Sequence, residues 1–180
     1  MQRNQPRFPE LALPVAALSA LRRALAERVG DDDAAHALRA AGHAAGDVLA
    51  GVLAPAQDSA PLSQSAYFRR LAEMFATRGW GHFTHERAHP GVAVLQAADW
   101  VEADPEARTG RPSCFFTTGM LANILGQQAG GEIAVYEIEC RSNGDTRCRF
   151  MIGAPETLLH LHENASEHTS VEALVATLGG

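Results

Sequence analysis

Four side chains in the second half of the sequence carry the donor types of a metal site: Cys114, Glu137, Cys140 and Cys148. Thiolates are soft donors that suit zinc, and a carboxylate oxygen can complete a four-coordinate tetrahedral shell. The chain has three cysteines in all, an odd count that cannot close into a complete set of disulfides. Spacing alone leaves metal ligation, catalysis and plain burial open, because no C-x-x-C pair is present and cysteine is among the most buried residue types.

The elements that must bring these residues together follow from composition and periodicity. With 180 residues, 46% of them hydrophobic and 20% charged, the chain suits one compact domain with a sizeable core. The net charge of -6 disfavours nucleic-acid binding through phosphate neutralisation. The apolar stretches around residues 11–21 and 34–54 are broken by Arg, Asp, His or Pro before the roughly 18–20 residues a bilayer span needs. No export signal follows the N-terminal residues, so a cytoplasmic protein without a membrane span is expected.

Val15, Leu18, Leu21, Leu25 and Val29 recur at helical spacing up to Gly30. Asp31, Asp32 and Asp33 then open a second helix with the stripe Leu38, Ala41, Ala45, Val48, Leu49 and Val52. A Pro/Ala/Ser connection leads to a third helix from about Ser63 to Gly79, with Tyr67, Phe68, Leu71, Met74 and Phe75 inward. Residues 81–88 and 92–97 read as a hairpin, and 99–111 as a polar loop in which Asp99, Glu102 and Asp104 are solvated. Ser113 caps a fourth helix that ends at Gly130, and residues 132–140 and 147–152 form a second hairpin across Asn143-Gly144. A final helical segment holds Leu158, Leu159 and Leu161, and a short helix over 171–178 frays in the tail.

This order predicts an α+β fold: an antiparallel sheet of about four strands with helices on one face. The expected organisation is one ligand-binding domain over 1–180, with an extended arm (1–14), a helical part (15–79), a motif-bearing part (80–163) and a tail (164–180). Cys114 would start a helix, where the dipole favours a thiolate. Cys140 and Cys148 flank the second turn and lie opposite one another if its loop is odd-numbered and centred on Gly144. Residues three apart on a regular strand face opposite ways, so Glu137 and Cys140 can share an ion only across an irregularity, expected near residues 139–141.

The run Arg111-Pro112-Ser113-Cys114-Phe115-Phe116, then Gly119-Met120-Leu121, Val135-Tyr136-Glu137, Cys140, Gly144-Asp145 and Cys148-Arg149-Phe150 resembles the signature of the 4-vinyl reductase domain family. The resemblance covers roughly residues 80–153. It implies the fold of trafficking-complex subunits and of the sensor domains of aromatic-responsive bacterial regulators, usually as a homodimer. It also implies a structural zinc held by Cys114, Glu137, Cys140 and Cys148, and an apolar pocket close to the metal. Trp100, Phe115, Phe116, Tyr136, Trp80, Phe83 and His82 are the residues expected to line that pocket, with Tyr67, Phe68, Phe75 and Met120 as further wall candidates. The position of Trp100 resembles that of the tryptophan whose indole N–H holds the phenolic hydroxyl in such sensors. His82, His85 and His89 on the first hairpin could bond a polar ligand group, although a solvated hairpin face is the plainer reading.

No G-x-G-x-x-G, P-loop or G-x-S-x-G motif supplies a hydride source or a nucleophile. The expected function is a zinc-stabilised domain that senses or carries a hydrophobic or aromatic ligand, a tetrapyrrole among the options, with output through a protein partner. The alternative is an 8-vinyl (4-vinyl) reductase, or an accessory subunit of one, in bacteriochlorophyll biosynthesis. A third class is an interaction module. The apolar residues Phe8, Leu11 and Leu13 of the arm could reach a second subunit.

Overall fold

A computed structural model of the chain describes residues 10–54, 62–164 and 171–178. Phe8, the 55–61 connection and part of the 164–180 tail lie outside them. Helices α1 (Val15–Val29) and α2 (Asp31–Leu53) are separated by Gly30, whose φ of 87° lies where other residues are strained. The three aspartates of the first turn of α2 place negative charge at the positive end of its dipole. In α3 (Gln64–Thr77) the Ser63 hydroxyl oxygen accepts from the Ala66 N–H at 3.3 Å. Strands β1 (Thr84–His89) and β2 (Val92–Ala97) form the first hairpin, and α4 (Phe115–Ala129) ends at a left-handed Gly130. Then follow β3 (Ala134–Glu139), a 3-10 turn (Arg141–Asn143), β4 (Cys148–Gly153), α5 (Pro155–Glu163) and α6 (Val171–Ala176).

The sheet is antiparallel in the order β1-β2-β4-β3. Alternation along β2 and β4 splits their side chains between two cores. Leu95, Ala97, Phe150 and Ile152 face α3 and α4, while Val92, Val94 and Met151 face Leu158 and Leu161 of α5 and Val171 and Leu174 of α6. The helices therefore cover both faces and not one. The α6 segment is docked and not frayed: Val171 and Leu174 are buried, a contribution too short to show as periodicity.

Two helical faces also differ from the sequence reading. α1 packs on α2 as an outer layer, so Leu18 and Leu25 are half-buried while Val15, Leu21 and Val29 stay about half exposed. The buried face of α2 is Ala34, Ala35, Leu38, Gly42, Gly46, Leu49 and Leu53, and Val48 is exposed. Glycines define that face because α2 and α4 meet backbone to backbone. A Cβ on Gly42 would collide with the Phe116 carbonyl, one on Gly46 with that of Met120, and one on Gly119 with that of Arg39.

Gly119→Ala should therefore force the two helices apart and destabilise the fold by about 3 kcal/mol, lowering the melting temperature by roughly 6–12 °C. Gly131→Ala, where an added methyl meets nothing within 4 Å, should shift it by no more than about 1–2 °C. Calorimetric melts of the two variants check the pair.

Candidate metal centre and ligand cavity

Cys114 is the N-cap of α4, Glu137 lies in β3, Cys140 follows the end of β3, and Cys148 opens β4. Their four donor atoms lie within 4.8 Å of one another, and all four residues are buried. The Cys114 sulfur is 3.8 Å from that of Cys140 and 3.9 Å from that of Cys148. A tetrahedral ion with metal–sulfur bonds of about 2.3 Å sets its sulfurs about 3.8 Å apart, so the spacing is that of a metal shell and far too long for a disulfide.

The expected irregularity is present. The β3–β4 register shifts between Glu137 and Glu139, a residue or two before the predicted place, and turns Cys140 to the side of Glu137. Glu139 pairs with Arg149, so Cys140 and Cys148 flank an odd-numbered loop over 141–147 with Gly144, at φ 102°, in its middle. The Asp145 carboxylate accepts from the Cys140 N–H at 2.8 Å and fixes the loop's entry.

The electrostatics ask for a cation. The Glu137 Oε2 accepts from the Cys114 N–H at 2.8 Å, whereas its buried Oε1 has no hydrogen-bond partner. Burial, then the neighbouring Cys140, pushes the Glu137 carboxyl up to about 9. Burial likewise drives the Cys114 thiol well above its ordinary value, while hydrogen bonds from Cys114 and Cys148 hold Cys140 far below its own. A divalent ion among them would favour the ionised form of every donor. All four positions of a tetrahedral shell come from the protein, so such an ion has no open site for water and would clamp α4 to the second hairpin.

Glu102, read from sequence as a solvated loop residue, is buried beside this centre. Its carboxylate accepts from the Phe116 N–H at 2.9 Å, the Thr117 N–H at 2.8 Å and the Thr117 hydroxyl, and so caps the first turn of α4. The helix cap thus comes from a carboxylate outside the helix and not from Ser113, whose hydroxyl accepts from Arg22 at 2.8 Å. Desolvation raises the Glu102 carboxyl from its ordinary 4.5 to about 7 despite these bonds. No local pattern announces Glu102, because its partners lie 14 and 15 residues further on.

The residues expected to line a pocket do not share one. Trp100 is fully buried, and its indole N–H donates to the Thr117 hydroxyl oxygen at 2.7 Å. Phe75, Trp80, Phe83 and Phe150 pack around it with ring centroids 5.3–6.3 Å away, and Trp80 stacks on Phe116. Phe115 turns outward beneath the guanidiniums of Arg39 and Arg111. Tyr136 is 37% exposed on the opposite face of the sheet, edge-on to His162. His82 is exposed and bonded to Asp99 at 2.7 Å, which holds that carboxyl below its ordinary value.

A cavity of about 400 Å3 opens elsewhere, between α3, the first hairpin and the C-terminal half of α4. Leu62, Tyr67, Phe68, Leu125, Ile133 and Ile152 form its apolar walls, and Arg87, His89, Gln64 and Gln128 add polar groups. His85 stacks on Phe68 behind the wall, with centroids 4.2 Å apart. Ile152 lies four residues along β4 from Cys148, so the cavity and the metal centre sit roughly 13 Å apart along that strand.

Residues 94–154, which include all four donors, match the model of the vinyl-4-reductase domain. No curated protein matches the chain. Among solved structures the chain is similar to the phenol-responsive sensory domain of the transcription activator PoxR, crystallised with phenol. That pair has 19% identity and a TM-score of 0.70, covering 82% of this chain and 77% of the other. It is also similar to a vinyl-4-reductase family protein from Methanocaldococcus jannaschii, at 16% identity and a TM-score of 0.54, covering 79% and 82%. At these identities the likeness shows the fold.

Two outcomes follow from the geometry. Purified protein should hold close to one equivalent of metal, and Cys140→Ala should lose it and melt on the order of 10 °C lower; elemental analysis and calorimetry read both. Because the Glu102 carboxyl is raised in the folded state, its contribution is fully present below pH 4.5 and lost as pH rises through about 7. Wild type should therefore lose stability relative to Glu102→Gln across that window, measured as the difference between their melting temperatures against pH.

Proposed function

We propose, for a chain whose residues 94–154 match the vinyl-4-reductase domain, that it is a single zinc-clamped domain that senses or carries a small hydrophobic or aromatic molecule. The carrying observation is the apolar cavity beside Tyr67 and Phe68, whose volume of about 400 Å3 falls within the roughly 300–1,000 Å3 of small-molecule sites. The likeness of fold to a phenol-responsive sensory domain supports the same reading.

Zinc is the ion that best suits three thiolates and a carboxylate at tetrahedral spacing, and Cys114, Glu137, Cys140 and Cys148 would hold it. Its contribution is structural. A reducing cytoplasm keeps such thiols available to a metal. No helix among the described residues is long and apolar enough to cross a membrane. The half-exposed Val15, Leu21 and Val29 of α1, with Leu11 and Leu13 before it, support a homodimer.

Titration with phenol and longer alkylphenols, followed by calorimetry, tests the ligand class. Saturable binding is expected, weakened about tenfold or more by Leu125→Trp, which fills the cavity, and little changed by Trp100→Phe. Binding lost in Trp100→Phe and kept in Leu125→Trp would move the ligand to the aromatic cluster. Turnover of a divinyl tetrapyrrole with reduced nicotinamide would replace the binding reading with an enzyme.

A further inference from the structure

On the outer side of the molecule a second concavity, of about 250 Å3, opens between α1, the start of α2 and the loop that leads into α4. Arg22, Arg23 and Arg111 line it, with Asp31 as the one carboxylate in the lining. Its apolar walls include Leu38, two alanines of α2 and Phe115. The volume lies below the roughly 300–1,000 Å3 of drug-sized sites and suits a molecule of about one ring.

The guanidiniums are poorly neutralised. Arg22 makes its side-chain hydrogen bond to the uncharged Ser113 hydroxyl at 2.8 Å, and among the described residues neither Arg22 nor Arg23 forms an ion pair. Arg111 meets Asp32 at 3.0 Å, but that carboxylate is 90% exposed and therefore well screened. A fourth guanidinium, that of Arg39, lies 4.8 Å from the Phe115 ring centre, and that of Arg111 lies 5.8 Å from it. Partial burial and the nearby Arg111 hold Arg39 below its ordinary value, which reports like-charge crowding. In a chain of net charge -6, this is a local reversal of sign around a concave, partly apolar surface.

We propose that this concavity binds a small organic anion, its phosphate or carboxylate head held by Arg22, Arg23 and Arg111 and its apolar body lying against Leu38 and Phe115. Planar guanidiniums present paired donors to either head group, and each charge-assisted bond formed there is stronger than a neutral one. The body distinguishes the site from a surface that gathers inorganic ions. The site is independent of the cavity beside Tyr67, on separate residues and another face.

The experiment is calorimetric titration of the full chain at low ionic strength with three probes: phenyl phosphate, benzoate and inorganic phosphate. Phenyl phosphate or benzoate should bind saturably, at least about tenfold more tightly than inorganic phosphate, and the better of the two identifies the head group. Arg22→Gln and Arg23→Gln should each weaken that binding about tenfold. Arg23 makes no ion pair among the described residues, so Arg23→Gln keeps the fold and keeps the test valid if Arg22→Gln does not. Arg87→Gln, in the other cavity, should change nothing. No saturable binding, equal binding of inorganic phosphate, or binding unchanged in Arg23→Gln would each overturn the proposal.

Discussion

Three thiols and a carboxylate turned toward one buried point, with one carboxylate oxygen facing no donor, set a demand for positive charge that the surrounding hydrogen bonds do not meet. Leaving such groups ionised without a counter-charge costs several kcal/mol each, so the cluster either stays protonated or takes a cation. Much of the neighbouring backbone is arranged around that choice. The register shift at Glu137 and the Asp145 bond to Cys140 aim two donors that a regular strand would point apart. The Ser142 hydroxyl oxygen accepts from the Asp104 N–H at 2.9 Å, and the Ser142 carbonyl accepts from the Thr109 N–H at 2.9 Å. These bonds tie the donor loop to the segment that delivers Cys114.

The two ends of the sheet differ in consequence. At the donor end the interior is filled: Trp100, four aromatic rings around it and the Glu102–Thr117 hydrogen bonds leave no space for a guest. At the other end α3 and the first hairpin stand away from α4 and leave an apolar hollow. An aromatic core built around Trp100 and a hollow beside Tyr67 use the same kind of side chain. Only packing density separates structure from binding surface.

That distinction marks the limit of what the sequence reveals. The four donors were legible because a metal site needs particular atoms, and three cysteines near one glutamate are few enough to count. The five inward residues of α3 were legible because 3.6-residue periodicity records one buried face. Glu102 was not, since its role is fixed by partners on another element, and a lone glutamate in a polar loop looks solvated. Neither was the face of α2. Gly42 and Gly46 carry no hydrophobicity signal, yet their missing side chains decide how closely the helix approaches. Whether Trp80 and Phe116 face a ligand or each other depends on distances that no spacing rule supplies.

The glycine crossing also has a mechanical meaning. Because α2 and α4 touch through backbone atoms at Gly42, Gly46 and Gly119, no layer of flexible side chains lies between them to absorb a displacement. α4 is anchored at its first residue by the donor cluster and bordered near its far end by the hollow at Leu125 and Ala129. A molecule wedged against that far end would tilt α4 about its anchored start, with α2 obliged to follow as a rigid lever. α1, lying outside α2, would carry the motion to the surface.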